Sequence, residues 1–232
     1  MTDDNQDIAS LKQALAAAER ALDEARAENA LIEERSRDER REELRRLRNL
    51  FSVIRAVARQ TGEDVDTVED YCGVLDGRLA AYLSAQAAVM QNWRGGADLA
   101  LLLAGALQPF GLKEGERVNL VGPSVQLTSQ AAGIMALAFH ELALAASLSY
   151  RLDEPGGGLQ IEWRLGPEEA DRSLLIDWVE TGQAEQQEQA QRSSWADWVE
   201  QAIEYQLAGT LTTQSADRGR AIRLHLPRSA MC

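Results

Sequence analysis

The stretch IASLKQALAAAERALDEARAENALI, residues 8–32, predicts a long amphipathic helix near the start of the chain. Its apolar residues recur in alternating steps of three and four, at positions 8, 11, 15, 18, 22, 25 and 32. This heptad spacing draws one stripe along a helix and is typical of the seam of a coiled coil. Asn29 occupies the remaining seam position, where a lone asparagine favours a parallel two-stranded register. We therefore predict that residues 1–41 form a parallel coiled coil that makes the protein a homodimer, with Asn29 as the register residue. A solvent-exposed single helix is the alternative.

A second apolar stripe follows, one residue out of phase with the first. Its members are Leu44, Leu47, Phe51, Ile54 and Ala58. Thr61-Gly62 is a predicted helix break, and Asp64 or Asp66 is the predicted cap of a second apolar-faced helix that continues past Leu83. Two such helices form a hairpin, and two hairpins from a dimer make a four-helix bundle. We assign this hairpin to residues 42–95.

Residues 96–232 have the pattern of a mixed helix and sheet domain. The predicted helices are 98–107, 127–148 and 194–207, and the predicted strands are 117–121, 159–165, 174–180 and 221–226. Strands that alternate apolar and polar residues indicate a sheet with one wet face, which long apolar helices cover on the other side. The predicted fold class is α+β, with the helical segments leading into an α/β two-layer sandwich.

Composition narrows the class of protein. The 232-residue chain has a formal net charge of -13, which disfavours a nucleic-acid partner because phosphates would be repelled. We expect no membrane span, because no apolar run reaches the required length, and no secretory signal at the N-terminus. Cys72 and Cys232 lie far apart and outside any metal-binding spacing, so we expect a reduced cytoplasmic protein without a metal site.

Several short motifs resemble the HWE-type sensor histidine kinases, a family named for a histidine and a Trp-x-Glu. Residues 46–49 (RLRN) and 58–61 (ARQT) resemble that family's phosphoacceptor helix. His140-Glu141-Leu142-Ala143 resembles its histidine-containing box, and Trp178-Val179-Glu180 resembles its Trp-x-Glu. The resemblance runs from about Glu42 to Pro227, and its pieces stand in family order. It implies a dimerisation and phosphotransfer bundle followed by an ATP-binding sandwich.

The chain departs from the family where the chemistry is done. Arg45 stands where the family has its phosphoacceptor histidine, and a guanidinium stays protonated and cannot attack phosphorus. Ala145 stands at the position of the asparagine that holds Mg²⁺, and Leu148 where a lysine is usual. The family has paired glycines after its Trp-x-Glu, and here only Gly182 is present, followed by Gln183 and Ala184. The family's later Gly-x-Gly turn, which presents backbone amides to phosphate, is replaced by residues 192–195 (RSSW).

These departures predict a degenerate family member, a pseudokinase without catalytic residues. His140, Glu141, Trp178, Glu180 and Gly182 are either a residual nucleotide site or inherited packing, and we expect no cofactor. The predicted function is docking of a response-regulator receiver domain or a partner histidine kinase. The expected contact surface is Arg45, Arg46, Arg48 and Asn49.

Two alternatives stay open. The first is an active HWE-type histidine kinase or histidine phosphotransferase with atypical site residues, which would use ATP and Mg²⁺. The second is a purely structural dimeric module. No sensory segment is expected ahead of Ile8, so any signal would arrive through a partner.

Overall fold

The computed structural model describes residues 3–92, 95–115, 117–148, 157–167, 172–182, 194–216 and 219–232. Long helices come first, and helices then alternate with the strands of a sheet. The helices are α1 (Asp3–Asp64), α2 (Val68–Gln91), α3 (Leu99–Leu107), α4 (Ser129–Leu148) and α5 (Ser194–Leu207). The strands are β1 (Gly96–Asp98), β2 (Val118–Val121), β3 (Gln126–Thr128), β4 (Gly158–Leu165), β5 (Leu174–Thr181), β6 (Thr210–Ala216) and β7 (Gly219–Leu226).

The chain divides into two compact units, residues 1–55 and residues 56–232. The first unit is the N-terminal part of α1. Apolar residues of both predicted stripes are exposed there in the single chain, among them Leu15, Leu22, Ile32, Leu44, Leu47 and Phe51. Exposed stripes on one helix are what a partner helix would cover. The parallel coiled coil, the homodimer and the four-helix bundle stay predictions, as does the division into 1–41, 42–95 and 96–232.

The predicted helix break at Thr61-Gly62 is wrong. The helix α1 continues to Asp64, because tertiary contacts stabilise its last turns. Tyr71 Oη donates to the carbonyl of Ala58 at 3.2 Å, and Arg78 Nη1 donates to Thr61 Oγ1 at 2.9 Å.

The N-cap of α2 also differs from the prediction. It is Thr67 rather than Asp64 or Asp66, and its hydroxyl accepts from the amide of Asp70 at 3.1 Å. The same hydroxyl donates to the Asp70 carboxylate at 2.7 Å, so the two side chains fix the first turn together.

The main sheet has the strand order β2-β4-β5-β7-β6. The pair β2/β4 is parallel and the other pairs are antiparallel, so the predicted, largely antiparallel sheet is confirmed. Side chains alternate across it. One face is apolar and buried, and consists of Leu159, Ile161, Trp163, Leu174, Ile176, Trp178, Ile222, Leu224 and Leu226. On the other face Asp177 accepts from Arg164 at 2.6 Å and from Arg223 at 2.5 Å.

The helix α4 is the centre of the layer that covers the apolar face. It contacts α2, α3 and α5, which explains why nearly every side of it is apolar. Among the helices in the described residues, α4 is long and apolar enough to cross a membrane, judged by length and composition alone. However, 67% of its apolar stretch is buried inside the protein. The α+β class and the two-layer sandwich are therefore confirmed.

Candidate functional site

His140 lies on the buried side of α4 and is 7% exposed. Its ring centroid lies 5.2 Å from that of Phe110, with the two rings tilted. Gly77 of α2 packs directly on the imidazole, since a Cβ built there would lie 3.1 Å from His140 Cε1. Burial, and secondarily the nearby Arg78, lower the pKa of His140 to about 4. The imidazole is therefore neutral at physiological pH, and it fills space between helices.

Glu141 forms a two-pronged ion pair with Arg78 of α2. Arg78 Nε donates to Glu141 Oε1 at 2.9 Å, and Arg78 Nη2 donates to Oε2 at 3.2 Å. The third nitrogen of the guanidinium, Nη1, donates to Thr61 Oγ1 at 2.9 Å. The Arg78 side chain is 3% exposed, so this contact is made away from water. The carboxylate of the box is thus engaged in joining α4 to α2 and to the end of α1.

Trp178 and Glu180 form a second buried cluster on β5. Trp178 Nε1 donates to Glu180 Oε1 at 2.8 Å, and Arg220 Nη2 of β7 donates to the same oxygen at 3.1 Å. The Glu180 side chain is 2% exposed, which makes Arg220 its counter-ion inside the protein. Gly219 allows this close strand approach, because a Cβ there would lie 2.1 Å from the carbonyl oxygen of Glu180.

The remaining predicted positions of the sandwich are Gly182, Ala145 and Leu148. Gly182 follows β5 with a φ of 134°, a backbone conformation that favours glycine. Ala145 lies half-buried one turn after Glu141 and offers no side-chain oxygen to a metal ion, and Leu148 is exposed. Gln183, Ala184 and the replaced turn at 192–193 lie outside the described residues.

The predicted docking residues belong to α1. Arg45 is exposed and donates to both carboxylate oxygens of Glu42, at 2.8 and 2.7 Å. This pairing raises the pKa of Arg45 above its usual value, which keeps the guanidinium charged. Arg48, Asn49 and the register residue Asn29 are exposed, whereas the side chain of Arg46 lies outside the described residues.

Reasoning from the sequence did not find the partners of the two box acids. Neither Arg78 in the second predicted helix nor Thr61 in the predicted helix break was assigned a partner. The sequence did indicate that Arg220 is unusual. Alternate residues of a strand face the same side, so Arg220 lies with Ile222 and Leu224 on the core side of β7. A charged residue on that side requires a buried counter-ion, but only the strand register identifies Glu180 as its partner.

The fold matches that of solved histidine kinases. Two solved structures show the same fold. The blue-light activated histidine kinase of Erythrobacter litoralis superposes with a TM-score of 0.57 at 16% identity, covering 78% of this chain and 59% of that one. Its isolated histidine kinase domain gives a TM-score of 0.51 at 15% identity, covering 75% of this chain and 96% of that one.

The sequence comparisons find similarity to one branch of the histidine kinases. Residues 43–124 match the family model of the HWE histidine kinases. A blue-light-activated histidine kinase from Brucella ovis is 26% identical over 142 residues, which cover 61% of this chain and 29% of the relative. Blue-light-activated histidine kinase 1 from Erythrobacter litoralis is 28% identical over 136 residues, covering 58% and 37%. These matches support the resemblance of the chain to the HWE histidine kinase family.

The family match covers the predicted hairpin and the start of the predicted sandwich. The family match includes Arg45 and Arg78 but ends before His140, so the assignments of the two boxes rest on their resemblance to the family pattern. The chain spans 29% of the length of the Brucella relative.

Proposed function

We propose that this protein is a non-catalytic member of the HWE family, a cytoplasmic pseudokinase that acts by binding. It forms a homodimer through α1 and docks the receiver domain of a response regulator, or a partner histidine kinase. The observation that carries the proposal is Arg45, which stands at the phosphoacceptor position and is held by Glu42 at 2.7 Å. A histidine kinase without an imidazole at that place has no nucleophile for the γ-phosphoryl group.

The box acids support the same proposal. Both oxygens of Glu141 accept from Arg78, and Glu180 Oε1 accepts from Trp178 and Arg220. Ala145 offers no oxygen to Mg²⁺, a cation that takes oxygen ligands. These residues do not fit a site for Mg²⁺ and ATP, and we assign no chemical step to them.

The docking surface is proposed from charge and exposure. Arg45, Arg48 and Asn49 are exposed on α1, beside the apolar stripe of Leu47 and Phe51 that the proposed dimer would cover. The arginines beside that stripe fit a partner with an acidic pocket, which is the chemistry of a receiver domain. The proposal is that the predicted bundle acts through this surface, since its phosphoacceptor position holds Arg45.

Nucleotide binding tests the lack of catalysis. We expect isothermal titration of the full chain with Mg²⁺ and ATP to give no saturable heat. We also expect no label from [γ-³²P]ATP on the wild-type protein or on Arg45→His, which restores only the nucleophile. Label on either protein, or label taken from a phosphorylated receiver, would establish an active kinase or phosphotransferase instead.

Docking is tested by titration against the receiver domains of the host. The double reversal Arg45→Glu/Arg48→Glu should weaken the tightest binder by about tenfold or more, since rim charges steer association. The matched control is Arg37→Glu/Arg41→Glu, which reverses two exposed arginines of the same helix that pair with Glu33 and Asp38. If no receiver domain or kinase binds, the protein is a structural dimeric module.

A further inference from the structure

The packing of α2 on α4 is antiparallel and polar at both ends. At one end Ser129 Oγ donates to Gln86 Oε1 at 3.2 Å. In the middle Tyr82 lies over Gly133, where a Cβ would come within 2.5 Å of the tyrosine ring. At the other end is the ion pair between Arg78 and Glu141. The polar pairs and the close approach at Gly133 fix the register in which the two helices meet.

Arg78 connects three helices at this end. Its guanidinium binds Glu141 of α4 and Thr61 in the last turn of α1, while its own backbone belongs to α2. A buried ion pair contributes little net stability, because the cost of removing two charges from water offsets their attraction. Removing only one partner is costly, since the other charge is then buried without a counter-ion. Such a pair selects one arrangement of helices over others.

The outer side of α2 is also apolar. Val68, Leu83 and Met90 are exposed on this helix, whereas Tyr82, Ala85 and Val89 are buried against the sandwich. The helix therefore has a second apolar surface that does not depend on α4. A helix with two such sides can keep a partner on its outer surface when its inner contact opens.

We propose that the ion pair between Arg78 and Glu141 is a latch that holds α2 on α4 in one register. Opening the latch lets α2 leave α4 while the sheet stays folded. The latch is a conformational device of residues 56–232, and it does not depend on whether the protein is catalytic.

The native cysteines allow a direct test. Cys72 lies on α2 and Cys232 follows β7, and both are exposed. With spin labels on both cysteines, pulsed electron–electron double resonance measures the distance between the two labels. A large excess of unlabelled Cys72→Ser/Cys232→Ser chain removes distances between copies. The wild type should give one narrow distance.

The decisive variant is Arg78→Met/Glu141→Met, which removes both charges and keeps the volume. We expect its thermal midpoint to stay near that of the wild type. Its distance distribution should broaden or gain a second peak, and amide exchange in α2 should quicken while β5 stays protected. Removal of the exposed pair by Arg164→Met, whose partner Asp177 lies on the open face of the sheet, should leave the distances unchanged.

Two results would overturn the latch. One is a single narrow distance in the double variant, which means that apolar packing alone sets the register. The other is equal loss of protection in α2 and β5, which means that the pair supports the whole domain. If the double variant does not fold, Arg78→Gln/Glu141→Gln is measured under the same criteria, because it removes both charges and keeps polar side chains that can hydrogen-bond to each other.

Discussion

Arg220 and Glu180 lie directly opposite each other on β7 and β5, and Arg220 Nη2 donates to Glu180 Oε1 at 3.1 Å. The acid also accepts the indole N–H of Trp178, so a single buried oxygen has two donors. On the opposite face of the same two strands, Asp177 and Arg223 form a cross-strand pair with much more exposure to water. The sheet therefore contains a buried and an exposed version of the same charge pair.

Removal of the counter-ion of the buried Glu180 carboxylate should be costly. Arg220→Met leaves the Glu180 carboxylate inside the protein without a cation, and we expect a loss of roughly 3–5 kcal/mol in the free energy of unfolding. Arg223→Met on the exposed face should cost less than about 1 kcal/mol, because water screens that pair. Urea unfolding of both variants gives the comparison. Equal losses would contradict the role of burial.

Acidification should destabilise the protein through His140. Its pKa in the folded protein is about 4, below the ordinary 6.5, because burial and Arg78 disfavour the charged ring. Between these values the unfolded chain binds a proton that the folded protein does not, so stability is lost as the pH falls from 6.5 toward 4. We expect the drop from pH 7 to pH 4.5 to be roughly 2–3 kcal/mol smaller in His140→Gln.

Denaturant unfolding at the two pH values measures this drop in both proteins. Every other titrating group is common to them and cancels in the comparison. Parallel pH profiles would mean that the imidazole takes up its proton as readily in the folded protein as in the unfolded chain.

Two glycines in helices should respond to alanine with opposite signs. At Gly73 of α2 a Cβ meets nothing within 4 Å, so Gly73→Ala should stabilise by about 0.5–1 kcal/mol through helix propensity. At Gly133 of α4 a Cβ would lie 2.5 Å from Tyr82 and 2.8 Å from Gln86, so Gly133→Ala should cost about 1–3 kcal/mol. Thermal unfolding followed by circular dichroism distinguishes them. Stabilisation at position 133 would mean that α2 packs less closely than described.

The predicted dimer depends on one side of α1. Leu22 lies on the heptad stripe, whereas Leu31 lies off the stripe. Both are exposed in the single chain, at 50% and 67%. Leu22→Asp should convert the dimer to a monomer, because a charge in the seam has no partner. Leu31→Asp should leave the dimer intact. Light scattering coupled to size-exclusion chromatography measures the molar mass of each variant. A monomeric wild-type protein would contradict the proposed coiled coil.

Periodicity predicted the long elements well, because their apolar residues recur with the period of a helix or a strand or, in α4, form an almost continuous run. It missed β1 and β3, which have three residues each, too few to show an alternation. It also missed β6, whose residues Thr212, Thr213 and Gln214 are all exposed on an edge strand. The end of α1 was misplaced because Tyr71 and Arg78 of α2 stabilise it through contacts that local propensity does not include.

The candidate site was predictable only in part. The resemblance indicated Glu141 and Glu180, and the replacements at Arg45 and Ala145 were visible in the sequence itself. The cations that hold the two acids were not, because Arg78 is distant from Glu141 in sequence and Arg220 from Glu180. Those pairs exist only once the helices and strands are packed.

The junction of three helices at Arg78 restricts which substitutions this part of the sequence can accept during evolution. Thr61, Arg78 and Glu141 share one buried set of hydrogen bonds, so a replacement of any one changes which residues are acceptable at the other two. Among descendants of this chain, the three positions are expected to change together. An apolar residue in place of the arginine would be tolerated chiefly on a background that has already lost the acid.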